Sequence, residues 1–198
     1  MLEFKNVKVT LQGNNTSKPF TLVVSTGEVV CLCGSAGTGK TSILRAILGL
    51  EPLAGGYITV DGELVTPGAS AYFRQLTSYV PQLLPDVHIT VGDLCDMVMD
   101  VRKGDEGDKR RAALAELWAR WGIDNEVRDR RVNTVRPELL QQVMLVVTLT
   151  QDKPMVLIDN PSQTAATQML LQELAVQGKE VVYTCRTNQL PCHQIVNL

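Results

Sequence analysis

A glycine-rich octet that ends in lysine and threonine has the composition of a phosphate-binding loop. It reads Gly34-Ser35-Ala36-Gly37-Thr38-Gly39-Lys40-Thr41 and matches the pattern G-x-x-x-x-G-K-[ST]. Its glycines let consecutive backbone N–H groups turn toward one anion, and a following helix adds the partial positive charge of its N-terminus. Lys40 would reach the β- and γ-phosphates, and the Thr41 hydroxyl would hold Mg²⁺. The octet therefore predicts a pocket for a nucleoside triphosphate.

The segments on either side of the octet have the periodicity that this motif requires. The apolar run Val29–Cys33 precedes it and predicts a buried strand, and the pattern of Ile43–Leu48 predicts a helix. Strand, loop and helix in this order are the setting in which the motif binds phosphate. We therefore expect the nucleotide to lie on residues 34–41 and on Ser42 in the first helical turn.

A single aspartate, Asp159, directly follows a second apolar run, Met155–Ile158. In phosphate-loop proteins an acidic residue at such a strand end orients Mg²⁺ and its waters. Taken alone, Asp159 could equally be an ordinary residue that opens a loop. Because the chain also carries a complete phosphate loop, the metal-binding role is the better interpretation.

Composition limits the classes of protein that this chain can belong to. Its 198 residues suit one domain with an inserted subdomain. Hydrophobic residues make up 44% and charged residues 20%, and the net charge is −2, so no broad basic face indicates nucleic acid as a partner. The chain has neither a signal-peptide pattern nor an apolar run of the ~20 residues that a membrane span needs, so a cytoplasmic location is expected. With two histidines and five scattered cysteines, a zinc site is not expected, and Cys31 and Cys33 are interpreted as small buried residues.

Apolar strands that alternate with helical segments predict an α/β fold with a mainly parallel sheet core. The alternation of Phe20, Leu22 and Val24 predicts an antiparallel strand beside this core, and Thr77–Val80 predicts a short strand stopped by proline. From about residue 84 to 150 the pattern is helical. Its most regular apolar stripe comprises Leu114, Leu117, Trp118 and Trp121.

The order and spacing of these segments resemble the ATP-binding subunit of an ABC transporter over nearly the whole chain. The matching stretches are 39–52, which contains the lysine of the loop, 56–62, and Tyr79-Val80-Pro81-Gln82. The resemblance implies an ABC-type phosphate-loop fold, ATP and Mg²⁺ as cofactors, and a helical subdomain over about 84–150 inserted in a single domain, 1–198. It also implies that Gln82 contacts Mg²⁺ and the attacking water, that a transmembrane permease is the partner, and that the active unit is a homodimer or heterodimer at the cytoplasmic face of the membrane.

Several positions depart from the pattern of that family. Asn160 stands where a glutamate normally polarises the attacking water, and an amide cannot accept a proton near neutral pH. Cys185 stands at the usual histidine position, and Leu11 replaces the aromatic residue that stacks on adenine. The signature segment aligns best with 135–139, where Pro137 has no N–H to offer and Glu138 would place a negative charge near a phosphate. Arg136 could partly compensate for that charge.

These departures leave three functions open. The first is an ATP-binding subunit that couples ATP binding, with weak or partner-dependent hydrolysis, to solute movement through a permease. The second is a non-hydrolysing, nucleotide-dependent regulatory or scaffold subunit, whose energy is limited to its differential affinity for the nucleotide. The third is a protein that no longer binds nucleotide, which Leu11 favours and the unbroken loop opposes. Solute, transport direction and the identity of the partner leave no trace in the residues.

Overall fold

The computed structural model describes residues 1–84 and 86–198, with Asn14 described by its main chain only. These residues divide into two compact units, one formed by Met1–Tyr79 with Lys153–Leu198 and the other by Val80–Asp152. The strands are β1 (Leu2–Lys8), β2 (Phe20–Val24), β3 (Val29–Cys33), β4 (Gly55–Val60), β5 (Glu63–Leu64), β6 (Thr77–Val80), β7 (Met155–Ile158), β8 (Glu180–Cys185) and β9 (Gln194–Asn197). The α-helices are α1 (Lys40–Ile47), α2 (Ser70–Gln75), α3 (Val91–Val98), α4 (Asp105–Arg120), α5 (Pro137–Thr148) and α6 (Ala165–Val176). Short 3₁₀ helices lie at Gln12–Asn14, Pro67–Ala69, Asn125–Asp129 and Val132–Thr134.

Two sheets form the framework of the first unit. One has the order β2-β1-β4-β5 with antiparallel neighbours, and the other has the order β6-β7-β8-β3-β9. In the second sheet β7 runs parallel to β8, and β3 runs parallel to both β8 and β9. This arrangement confirms the predicted mainly parallel core with an antiparallel part beside it.

The central parallel strands β7, β8 and β3 are mostly apolar because both of their faces are covered. All four residues of β7 are buried, and so is every residue of β8. Helix α1 packs Ile43, Leu44 and Ile47 into one core with side chains of both sheets, among them Phe4 and Leu157. Burial of each such side chain contributes about 1.5–3 kcal/mol. This packing fixes the start of α1 relative to the ends of the parallel strands, where the chemistry is predicted.

The second unit is helical. Trp118 and Leu114 of the predicted apolar stripe are almost fully buried, whereas Leu117 and Trp121 are half-buried. Asp96 of α3 accepts a hydrogen bond from Arg111 Nε at 2.8 Å, and it also pairs with Arg128 at 3.4 Å. Across the part of the chain that the structure describes, every helix is too short or too polar to cross a bilayer.

Candidate functional site

The predicted phosphate loop connects the end of β3 to the start of α1, as its sequence requires. Gly37 and Gly39 have φ angles of 83° and 88°, in the left-handed region that residues with a Cβ rarely adopt. The N–H of Gly34 donates to the carbonyl oxygen of Cys185 at 3.1 Å, which ties the first residue of the loop to the end of β8. The loop therefore has a defined curvature at the carboxyl edge of the parallel sheet.

The Lys40 ammonium group lies inside this loop. Its Nζ donates to the carbonyl oxygens of Gly34 at 2.7 Å and Ser35 at 2.6 Å, and lies 3.4 Å from Thr38 Oγ1. Burial lowers the pKa of Lys40, and the carboxylate of Asp159 opposes that shift. A partly buried cation surrounded by loop carbonyls provides a centre of positive charge for a bound phosphate group.

Thr41 and Asp159 are brought together although 118 positions separate them in the chain. The Thr41 hydroxyl donates to Asp159 Oδ2 at 2.9 Å, and Asp159 Oδ1 accepts a hydrogen bond of 2.7 Å from the hydroxyl of Thr184. A hydroxyl and a carboxylate are hard oxygen ligands of the kind that Mg²⁺ prefers. A hydroxyl that donates its proton to a carboxylate keeps lone pairs that can face a cation. This pair fits the predicted metal site.

Asn160 follows Asp159 in a left-handed conformation, with φ of 48°, which asparagine tolerates better than most residues. Its backbone N–H donates to Thr184 Oγ1 at 2.8 Å. The side chain at this position is a neutral amide, so it offers no general base. Its assignment to the base position comes from the resemblance and stays a prediction.

Cys185 is fully buried at the end of β8. Its Sγ lies 3.2 Å from Cys31 Sγ on the neighbouring strand β3, and burial raises the pKa of the Cys185 thiol. A buried neutral thiol that faces another thiol is poorly suited to contact a phosphate in place of an imidazole. Cys31 is also fully buried, as predicted, whereas Cys33 is only half-buried because it lies where β3 enters the loop.

Gln82 and the segment 135–139 lie in the second unit, which is described by itself. Gln82 lies in the loop after β6 and lines a pocket of about 420 Å³. Pro137 is the first residue of α5, and Arg136 precedes it as the capping residue without a side-chain capping bond. The metal role of Gln82 and the role of 135–139 stay predictions.

One residue of the site was not predicted. Thr184 is fully buried, and its hydroxyl contacts both Asp159 and the backbone of Asn160. The available signal was a single polar residue among apolar ones in 181–184. Because Ile158 pairs with Tyr183, the residues that follow them, Asp159 and Thr184, lie next to each other. That register cannot be read from either strand alone.

A parallel α/β sheet with a glycine-rich loop, an enclosed lysine and a strand-end aspartate defines a phosphate-loop nucleotide-binding protein. The sequence profile of the ABC transporter family matches residues 17–163. The chain belongs to this family, as the resemblance implied.

Relatives and solved structures agree with this assignment. The chain is 32% identical over 145 residues to the Fe(3+) ions import ATP-binding protein FbpC of Mesorhizobium japonicum, covering 71% of this chain and 39% of that protein. It is 29% identical over 192 residues to the methionine import ATP-binding protein MetN 2 of Pseudomonas entomophila, covering 88% and 56%. The chain thus spans about half the length, or less, of the curated relatives it matches. A dimeric bacterial ABC transporter cassette superposes with a TM-score of 0.82 at 21% identity, over 100% of this chain and 94% of the cassette. A post-hydrolysis cassette dimer bound to ADP and Pi superposes with a TM-score of 0.76 at 20% identity, over 95% and 88%.

Proposed function

We propose that this chain is the ATP-binding subunit of an ABC transporter complex, with weak or partner-dependent ATP hydrolysis. The observation that carries the proposal is the Lys40 ammonium, which lies 2.6 to 2.7 Å from two carbonyl oxygens of its own glycine-rich loop. An arriving phosphate would take over this cation from the carbonyls. The similarity to import ATP-binding proteins supports the transport role.

The residues of the loop divide the work of binding. Backbone N–H groups of 35–41 hold the phosphate oxygens, and Lys40 neutralises charge on the β- and γ-phosphates. Thr41 and Asp159, whose side chains are hydrogen-bonded to each other, would hold Mg²⁺ through their oxygen atoms. When bound, Mg²⁺ neutralises charge that develops on the phosphate oxygens. Ser42, in the first turn of α1, stands next to these ligands in the chain.

Hydrolysis by this chain alone is expected to be slow. Loss of one positioned general base typically lowers a rate by about 10²–10⁴, and Asn160 offers none. The buried thiol of Cys185 does not replace a histidine that would contact the γ-phosphate. Arg136 caps α5 and Pro137 begins it, so this helix start lacks the serine hydroxyl and glycine N–H groups that the family presents to the partner subunit. Turnover therefore depends on what a partner supplies.

The proposed partners are a permease at the cytoplasmic face of the membrane and a second cassette, identical or paralogous. The second unit carries a pocket of about 420 Å³ whose wall is rich in apolar side chains, including Leu84, Val135, Leu140 and Met144. Leu83 and Met97 of the same unit are 66% and 70% exposed. We assign these apolar side chains to the contact with the permease, because contiguous exposed apolar surface is typical of protein interaction sites.

A nucleotide-induced thermal shift tests the binding step. ATP at about 100 times its dissociation constant should add about 2.7 kcal/mol to the free energy of unfolding. The Lys40→Ala variant should lose most of this shift, while Lys5→Ala, which removes an exposed lysine of β1, should keep it. If ATP with Mg²⁺ does not raise the melting temperature of the wild-type protein, the proposal is refuted.

The alternative, a non-hydrolysing nucleotide-dependent scaffold, is favoured by one observation, the amide of Asn160 at the base position. Phosphate release measured in the complex assembled with its permease separates the two functions. Release that depends on Lys40 supports the transport subunit. Binding of ATP with release at the background rate, even in the complex, supports the scaffold.

A further inference from the structure

A directed chain of hydrogen bonds passes through one buried hydroxyl at the edge of the site. The backbone N–H of Asn160 donates to Thr184 Oγ1 at 2.8 Å, and Thr184 Oγ1 donates to Asp159 Oδ1 at 2.7 Å. The other oxygen of the same carboxylate, Oδ2, accepts a hydrogen bond from Thr41 at 2.9 Å. Thr184 itself is fully buried, so water does not reach its side chain.

The direction of these bonds follows from the groups involved. A hydroxyl has one proton, and a carboxylate can only accept. Because an N–H group already occupies a lone pair of the Thr184 hydroxyl, the proton of that hydroxyl is left for Asp159. Both oxygens of Asp159 therefore carry hydroxyl donors, and the carboxylate is held against rotation about its last side-chain bond.

We infer that Thr184 is a positioning residue for Mg²⁺, an inference that rests on the proposed function. Thr184 fixes the orientation in which Asp159 meets the metal and its waters. Through the same oxygen it anchors the N–H of Asn160, whose backbone is left-handed with φ of 48°. Removal of groups that orient a metal ligand typically lowers metal affinity about 10–100-fold.

A purely structural role for Thr184 makes a different prediction. In that case the hydroxyl would only satisfy buried polar groups between β7 and β8, and its loss would lower stability without altering how Mg²⁺ affects nucleotide binding. The informative quantity is therefore the ratio of the ATP dissociation constant in EDTA to that in saturating Mg²⁺. This ratio cancels losses that affect ATP binding equally under both conditions.

The experiment compares Thr184→Val with Thr184→Ser by calorimetric titration of ATP into the full chain. Valine keeps the branched shape and lacks the hydroxyl, whereas serine keeps the hydroxyl. We expect Thr184→Val to bind ATP in EDTA much as the wild type does, and to lower the ratio about tenfold. Thr184→Ser should keep the wild-type ratio. In an Asp159→Asn background, Thr184→Val should lower the ratio no further.

The inference is overturned if Thr184→Val keeps the wild-type ratio, or if the wild-type protein binds ATP equally well with and without Mg²⁺. Should Thr184→Val not fold, Thr184→Ala decides by the same ratio. If the wild-type protein binds no ATP under either condition, the proposed function is refuted together with this inference. If the wild-type protein binds ATP and the ratio is unchanged in Thr184→Val, only this inference is refuted.

Discussion

Two glycines of the phosphate loop provide a matched test of how tightly this loop is built. Gly37 and Gly39 both have φ in the left-handed region, at 83° and 88°. A Cβ on Gly37 would have no neighbour within 4 Å among the described residues, whereas a Cβ on Gly39 would lie 2.5 Å from Val9 Cγ2 and 2.9 Å from Leu11 Cδ2. Alanine at either position therefore strains the backbone, but only Gly39→Ala also produces a steric clash.

The expected losses of stability follow from these distances. An alanine in the left-handed conformation costs about 1–2 kcal/mol, and the reduced freedom of the unfolded chain offsets about 0.4–1 kcal/mol of this. The variant Gly37→Ala should thus lose about 1 kcal/mol. The overpacking against Val9 and Leu11 should add about 1–3 kcal/mol in Gly39→Ala. In a chain of this size 1 kcal/mol corresponds to about 2–4 °C in melting temperature.

Thermal unfolding followed by circular dichroism, without nucleotide and in EDTA, measures both variants under the same conditions. Gly39→Ala should melt about 2–12 °C below Gly37→Ala. Equal melting temperatures, or a lower one for Gly37→Ala, would show that Val9 and Leu11 do not pack closely enough on Gly39 to exclude a Cβ there.

Three further predictions concern other parts of the chain. Asn160→Glu should raise phosphate release about 10²-fold or more if the missing base limits turnover, and an unchanged rate in a phosphate-release assay would place the limit elsewhere. At the start of α3, Thr90 Oγ1 accepts a hydrogen bond from the Asp93 N–H at 3.0 Å as part of a capping box. Thr90→Ala removes this box and should lower the free energy of unfolding, measured by urea denaturation at neutral pH, by about 1 kcal/mol. Hydrogen bonds from Thr90 lower the pKa of Asp93 below its ordinary 3.8. The contribution of this carboxylate to the free energy of unfolding is therefore fully present above pH 3.8 and is lost as the pH falls through the lowered pKa. A stability difference between wild type and Thr90→Ala that stays constant through this acid range would contradict the role of the Thr90–Asp93 pair. Burial raises the pKa of Cys95 to about 12, so iodoacetamide should alkylate half-buried Cys33 and leave Cys95 unmodified in the native protein, and similar rates at the two sites by peptide mass mapping would count against this.

Elements with a strong local pattern could be predicted from the sequence. The strand Thr77–Val80 has the predicted bounds, because three of its four residues are β-branched or aromatic and the next residue is a proline that cannot extend the ladder. The loop before Lys40 could also be predicted from the sequence, since the left-handed backbone at positions 37 and 39 favours the glycines found there. In both cases the cause lies within a few residues of the effect.

Features that depend on the order of strands could not be predicted in this way. The hydroxyl of Thr184 reaches Asp159 only because β7 and β8 are neighbours in one register. The contact between Cys31 and Cys185 depends on β3 lying on the other side of β8. Strand β9 was not predicted either, because its side chains are mostly exposed and its four residues show little apolar pattern.

The lysine enclosed by its own loop has a consequence for how fast the site can exchange its occupant. Because the ammonium group of Lys40 bonds two main-chain oxygens of 34–35, the loop holds its own curvature through one of its own side chains. If the proposed function is correct, an incoming triphosphate has to turn one side chain instead of ordering a run of residues, so little conformational entropy is lost on binding. Release of the triphosphate would need the same small change, since the carbonyl oxygens of Gly34 and Ser35 can bind the Lys40 ammonium group again when the anion leaves.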